Sequence, residues 1–234
     1  MEPSAPISIT YYSDVLCVWA YAAQERLDQV QRSFGEHVAI GFKSCSVFGN
    51  TTRKIGDGWR EKGGYAGFGA HVREAAAQFD HIEVHPEIWL TARPASSEGA
   101  HLFLAALSLV ENGGALDGCN RLPERTPSEE YAWRLRLAFF RDCRDIAQWH
   151  VQCEVAEDMG IGLAPVEAAI RDGSAFAALA SDHQDKVRFA IEGSPTFLMN
   201  QGRQKIYGNV GYRVIEANIR ELLHVPQTGE MSWC

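Results

Sequence analysis

The chain has 234 residues, 46% hydrophobic and 22% charged, with a formal net charge of −8 at pH 7 and a pI near 5.5. That length and balance allow a substantial core without staples, and the acidity, with no cluster of Lys and Arg, excludes a phosphate-backbone partner, so no nucleic acid is expected. Met1 to Pro6 has neither a basic nor an apolar region, and no later stretch approaches 18 consecutive apolar residues, so no membrane partner is expected and the predicted compartment is the cytoplasm.

Ile7, Ile9 and Tyr11 alternate with Ser8, Thr10 and Tyr12 at the period of a strand, and from Val18 the apolar residues move to helical spacing. Cys17 therefore stands at a strand-to-helix junction. A thiol there meets unpaired backbone N–H groups and the positive end of the helix dipole, so its pKa is expected to lie below the ordinary value of about 8.5. The plain alternative is a small, buried, inert hydrophobe. A helix from Val18 to Phe34 ends at Gly35, and Val38 to Phe42 reads as a second strand. Parallel pairing through the helix would bring the far end of that strand, near Lys43 to Ser46, beside Cys17. Cys45 is thus a candidate resolving thiol, with an unreactive strand cysteine as the plainer reading.

Phe48 to Gly69 is glycine-rich and reads as a long loop, open to a role as a lid. Its Gly64-Tyr65-Ala66-Gly67-Phe68-Gly69 follows no predicted strand and carries no Gly-Lys-Ser/Thr, so no nucleotide site is expected. His81, Glu83 and His85 would share one face of an extended segment. Pro86 undermines helical presentation and no other ligand accompanies them, so a solvated strand face is favoured over a metal. From Pro94 the pattern is helical for about ninety residues, with Ser96-Ser97-Glu98 and Pro127-Ser128-Glu129-Glu130 as openings and shorter helices within Asp145 to Gly160 and Pro165 to Gly173. Ser174 to Ile191 leads to Glu192-Gly193-Ser194-Pro195-Thr196-Phe197-Leu198-Met199-Asn200, in which a proline precedes a short apolar strand. The Ser194–Pro195 bond is expected to be cis and to face Cys17. A hairpin across Gln201-Gly202-Arg203 and a helix from Gly211 to Leu223 close the pattern, and residues 226–234 read as a mobile tail. The six cysteines, at 17, 45, 119, 143, 153 and 234, form no Cys-x-x-Cys, so most are expected to be reduced thiols. Cys234, in the tail, is a second candidate resolving thiol.

Strand, cysteine at a helix start, a long helical stretch, then Gly-Ser-Pro-Thr-Phe before a hairpin and a last helix resembles the DsbA family of thioredoxin-like proteins over nearly the whole chain. Within it the sequence is similar to the branch of FrnE-like oxidoreductases, 2-hydroxychromene-2-carboxylate isomerases and kappa-class glutathione transferases. The resemblance implies an α/β, thioredoxin-like core (1–60 and 185–225) with an inserted all-helical subdomain (61–184). The departure is Cys17-Val18-Trp19-Ala20, with alanine where those oxidoreductases carry the resolving thiol. In the isomerases and transferases a serine preceded by a similar Asp-Val-Leu activates glutathione, whereas here Asp14-Val15-Leu16 precedes a cysteine.

Three functions follow as expectations. One is thiol–disulfide exchange through a single nucleophile, Cys17, with glutathione as the second thiol and a small thiol or a peptide or protein disulfide as partner. The second is glutathione-dependent isomerisation or transfer, and the third is a peptide-binding module with a vestigial cysteine. The candidate binding set is Trp19, Ser194, Pro195, Thr196, Gly208, Asn209 and Val210, the last three as an anion site at the start of the final helix. In the kappa-class transferases a Gly-Ser-Asp holds glutathione at the matching turn, and Asn209-Val210 departs from it. A homodimer remains open.

Overall fold

The structure, a computed structural model, describes residues 6–116 and 118–224. The tail 226–234, with Cys234, lies outside the described residues. Strand β1 (Ile7–Ser13), helix α1 (Val18–Phe34) and strand β2 (Val38–Ser44) form a parallel unit, with Ile7 opposite Val38 and Ser13 opposite Ser44. A parallel pair needs a crossover, which α1 provides. Strand β3 (Thr196–Met199) runs antiparallel to β1, with Tyr12 opposite Thr196, and pairs with β4 (Gln204–Tyr207) to give the order β2-β1-β3-β4.

The alternation in β1 sorts its side chains between two faces. Ile7, Ile9 and Tyr11 join Phe197 and Met199 under Leu27, Val30 and Phe34 of α1 and Ile215 and Ile219 of α8 (Tyr212–Leu223). Four-residue spacing puts Ile215 and Ile219 on one stripe of α8, while Val214 beside them is half exposed. On the other face Tyr12 and Leu198 pack with Cys45 and Ile191.

Between β2 and β3 lie α2 (Gly64–Ala76), α3 (Glu98–Asn112), α4 (Pro127–Arg136), α5 (Trp149–Glu157), α6 (Leu163–Arg171) and α7 (Ser174–Arg188). Helix α4 opens as a capping box: the Glu129 N–H donates to Thr126 Oγ1, the Thr126 N–H donates to the Glu129 carboxylate, and Pro127 takes the first helical position. The helical segment is fastened to the sheet unit by a buried charge cluster. Arg125, ahead of α4, reaches Asp28 of α1 at 2.6 Å and Glu130 at 2.9 Å. Beside it Tyr21 of α1 stacks on Phe140 with ring centroids 4.9 Å apart.

Two expectations are corrected. The tract from Phe48 to Gly69 is helical rather than a loop, with π-type turns over Thr52–Asp57, a 3-10 turn over Arg60–Lys62, and then α2. Its glycines serve close packing: a Cβ on Gly67 would lie 1.7 Å from Lys62 O, and one on Gly69 2.4 Å from Ile88 O. The segment 81–85 forms no strand. The Glu83 carbonyl accepts from Tyr21 Oη–H at 3.3 Å, and His81 lies against Glu25 at 3.1 Å, so these residues line α1.

Candidate active site

Cys17 is the N-cap of α1, with extended backbone (φ −89°, ψ 115°) where a polar cap residue is usual. The residue is 5% exposed and its S–H donates to Ser194 O at 3.3 Å. The Ser194–Pro195 peptide is cis. Burial is the strongest influence on the thiol and pushes it above its ordinary value; the Ser194 hydroxyl and the N–H groups of Ala20 and Trp19 pull the other way, and Asp14 adds to the rise. The expected depression is therefore corrected. The helix terminus does supply its N–H groups, but the same packing removes the water that a thiolate needs, and desolvation outweighs the dipole.

The loop that carries Cys17 is held by Asp14, which is wholly buried. Its carboxylate accepts from the N–H groups of Leu16 (2.9 Å), Val47 (2.8 Å) and Phe48 (2.8 Å) and from Ser97 Oγ–H (2.9 Å). One side chain thus joins the turn before α1, the segment after β2 and the start of α3. The Asp14 N–H in turn donates to Ser194 Oγ at 2.9 Å, which leaves the serine proton free to point at the Cys17 sulfur.

Cys17, Trp19 and Ser194 line a cleft of about 280 Å³. Phe48 and Phe68 add apolar wall, and exposed Lys54, His71 and Glu192 stand among its polar lining. Tyr207 covers Gly193 so closely that a Cβ there would lie 2.8 Å from the phenol oxygen. The size and mixed lining are near the lower end of small-molecule sites.

The remaining predicted residues are placed differently. Pro195 carries the backbone from Ser194 into β3, and its carbonyl accepts the Gly208 N–H at 2.9 Å. Thr196 is buried and donates to Gly193 O at 2.7 Å, so it fixes the turn. Gly208, Asn209 and Val210 do not line the cleft: Asn209 Oδ1 accepts from Arg26 Nη1 at 2.5 Å, and Val210 packs against the sheet and α8. Cys45 is fully buried beside Tyr12, Ile191 and Leu198, does not line the cleft, and is pushed by burial up to about 11. All five described cysteines are free. Among the described residues no group of three or more His, Cys, Asp and Glu is placed to hold a metal, and no helix is long and apolar enough to cross a membrane.

Sequence reasoning missed the hydrogen bonds of Asp14 and the placing of Lys54 and His71 in the cleft lining. Asp14 had a local signal, since an aspartate two residues ahead of an N–H it accepts is an Asx-turn. Lys54 had none, because its segment read as a loop, and His71, two residues beyond that tract, stands in no motif.

Comparison with known proteins agrees with this architecture. A family model described as a DSBA-like thioredoxin domain matches residues 8–220. No curated protein sequence matches the chain. Among solved structures, a probable DsbA oxidoreductase from Streptomyces coelicolor is 17% identical and superposes with a TM-score of 0.69 over 95% of this chain and 93% of that one. The cytosolic disulfide reductase DsbM from Pseudomonas aeruginosa, solved with GSH, is 19% identical, with a TM-score of 0.62 over 91% of this chain and 99% of that one. A 2-hydroxychromene-2-carboxylate isomerase is 12% identical, with a TM-score of 0.60 over 92% and 96%. At these identities the likeness is one of fold. The family match spans nearly the whole sequence and the sheet, helical segment and cysteine turn agree with it, so the chain belongs to the DSBA-like thioredoxin domain family.

Proposed function

We propose that the protein is a glutathione-dependent thiol–disulfide oxidoreductase that works through Cys17 alone. The observation that carries this reading is a lone thiol at the start of α1, against Ser194 and at the wall of a cleft, with Ala20 where a second thiol would stand. Glutathione supplies the missing sulfur. Cys17 attacks the glutathionyl sulfur of a mixed disulfide RS–SG; the Cys17 S–H bond breaks, Cys17–S–SG forms, and the leaving sulfur takes the proton as RSH. A second glutathione then attacks the glutathione sulfur of that intermediate, releasing GSSG and restoring the Cys17 thiol. The overall exchange, RS–SG + GSH giving RSH + GSSG, balances without another oxidant.

The Ser194 hydroxyl donates to the sulfur as charge develops on it, and the Trp19 and Ala20 N–H groups assist. In the cleft, Lys54 and His71 suit the two carboxylates of glutathione and Glu192 its ammonium group. The reading suits a reducing cytoplasm, and the GSH held in the DsbM structure supports it. The cleft lies where the core (1–60, 185–225) meets the helical insertion (61–184), a division we retain as part of the proposal.

A second reading, glutathione-dependent isomerisation, is favoured by the burial that keeps Cys17 protonated, since such a thiol can hold or polarise glutathione without cycling. Turnover separates the two. Under the redox reading, a glutathionylated peptide with excess glutathione yields GSSG catalytically, and Cys17→Ser abolishes it. Turnover of 2-hydroxychromene-2-carboxylate with no GSSG formed, and no peptide deglutathionylation, would refute the redox reading.

A further inference from the structure

We propose that the mixed disulfides reduced at Cys17 are glutathionylated peptide segments rich in Asp and Glu, received by a cationic shelf around Arg53 that continues the cleft. The inference rests on the redox reading above and adds the class of its substrate. A recess of about 420 Å³ adjoins the cleft and shares Val47 and Lys54 with it. Ser46, Gly49, Asn50, Arg53 and Gly58 complete its lining, so its charged residues are two cations and no carboxylate.

Both cations are exposed and uncompensated. The Lys54 ammonium lies 5.4 Å from the centre of the Phe48 ring, which also walls the cleft, so it stands where the two spaces meet. Among the described residues the Arg53 guanidinium has no hydrogen-bond or ion-pair partner. The nearby carboxylates are engaged elsewhere: Asp57 pairs with Arg60, while Glu98, behind Gly49, accepts from Ser46 Oγ–H and lies 3.7 Å from His183. Asn50 Oδ1 accepts the Arg53 N–H at 2.9 Å, which leaves the Asn50 NH₂ to meet a peptide carbonyl.

This charge is local. Arg53 to Lys62 carries four cations, Arg53, Lys54, Arg60 and Lys62, against Asp57 and Glu61, in a chain of net charge −8. The protein as a whole repels an acidic peptide, so a preference for one must come from the shelf. Exposed cations on an open recess, without an enclosing set of donors, suit the mobile side chains of a peptide better than a small enclosed anion. With Lys54 and His71 facing glutathione in the cleft, Arg53 is the cation left for the group that departs as RSH.

Deglutathionylation of three peptides by the full chain tests this, the peptides differing only in carrying Glu, Gln or Lys on both sides of the glutathionylated cysteine. The value of kcat/KM for the peptide reports the first half-reaction. It is expected to fall in the order Glu, Gln, Lys, with Glu about fivefold above Gln at low ionic strength and near parity at about 0.5 M salt, where screening is strong. Arg53→Glu sets a carboxylate beside Lys54 on an exposed turn and should bring the three peptides to about parity at low salt. Equal turnover of the three by the unaltered protein, or the Lys peptide fastest, overturns the inference and leaves the redox reading standing. A Glu preference that survives Arg53→Glu overturns it too, as does a variant that loses kcat/KM for glutathione with the peptide ratios unchanged, since the shelf would then serve the cofactor. Turnover of none of the three removes the redox reading and this inference together.

Discussion

Replacing Asp14 by alanine takes the acceptor from four donors at once: the N–H groups of Leu16, Val47 and Phe48 and the hydroxyl of Ser97. Hydrogen bonds to a charged partner contribute about 1.5–3 kcal/mol each, and a buried donor left without one costs a similar amount. The four do not add, because water entering the vacated space satisfies some of them. With two of the four uncompensated, the loss is about 3–6 kcal/mol, a large share of the roughly 5–15 kcal/mol that stabilises a domain. Asparagine sharpens the test. Oδ2 takes three of the donors and Oδ1 only the Leu16 N–H, so an amide oxygen in the Oδ2 place keeps three bonds and sets its NH₂ against one N–H. Asp14→Asn should then cost about 1.5–3 kcal/mol. Urea unfolding at pH 7 measures both through the midpoint, with the m-value unchanged. A loss below about 1 kcal/mol for Asp14→Ala, or a larger loss for asparagine than for alanine, would refute the claim that this carboxylate holds the cysteine turn together.

Two further predictions concern pH. Burial raises the Cys17 thiol, so in a variant with its other cysteines changed to serine the rate of alkylation by iodoacetamide should climb with a midpoint above the ordinary thiol value of about 8.5. A midpoint at or below that value would show that the helix terminus and Ser194 outweigh desolvation. Burial also pushes Glu129 up to about 7, above its unfolded value, so between roughly pH 4.5 and 7 the folded protein holds a proton that the unfolded chain has released. This contribution is fully present below pH 4.5 and is lost as pH rises through 7, with a slope of up to about 1.4 kcal/mol per pH unit. Glu129→Gln keeps the capping box and should remove that slope from the stability profile; an unchanged profile would contradict the assignment.

The sheet unit was legible in the sequence because β1, α1 and the β3–β4 hairpin each carry a local period, and Gly193-Ser194-Pro195 marks where the chain returns to it. Cys17 was legible for the same reason, since a change from strand to helical period locates a helix terminus. Its titration was not, because desolvation depends on Phe48, Phe68 and Val72, which reach the site only through tertiary packing. The segment from Phe48 to Gly69 misled for a related reason: its glycines read as loop formers, while contacts distant in sequence, such as Gly69 against Ile88, require them inside helical structure. Arg136 carried no local signal at all. It sits in an apolar run, and only the assembled helices reveal a buried guanidinium with unpaired N–H groups.

The account turns on Cys17 as the single sulfur that takes up and releases glutathione, and intact-mass analysis after incubation with oxidised glutathione tests it most directly. The predicted result is one glutathione adduct per chain, mapped to Cys17, absent in Cys17→Ser and removed by reduced glutathione. An adduct confined to another cysteine, or a disulfide joining Cys17 to Cys45 or Cys234 in its place, would contradict it.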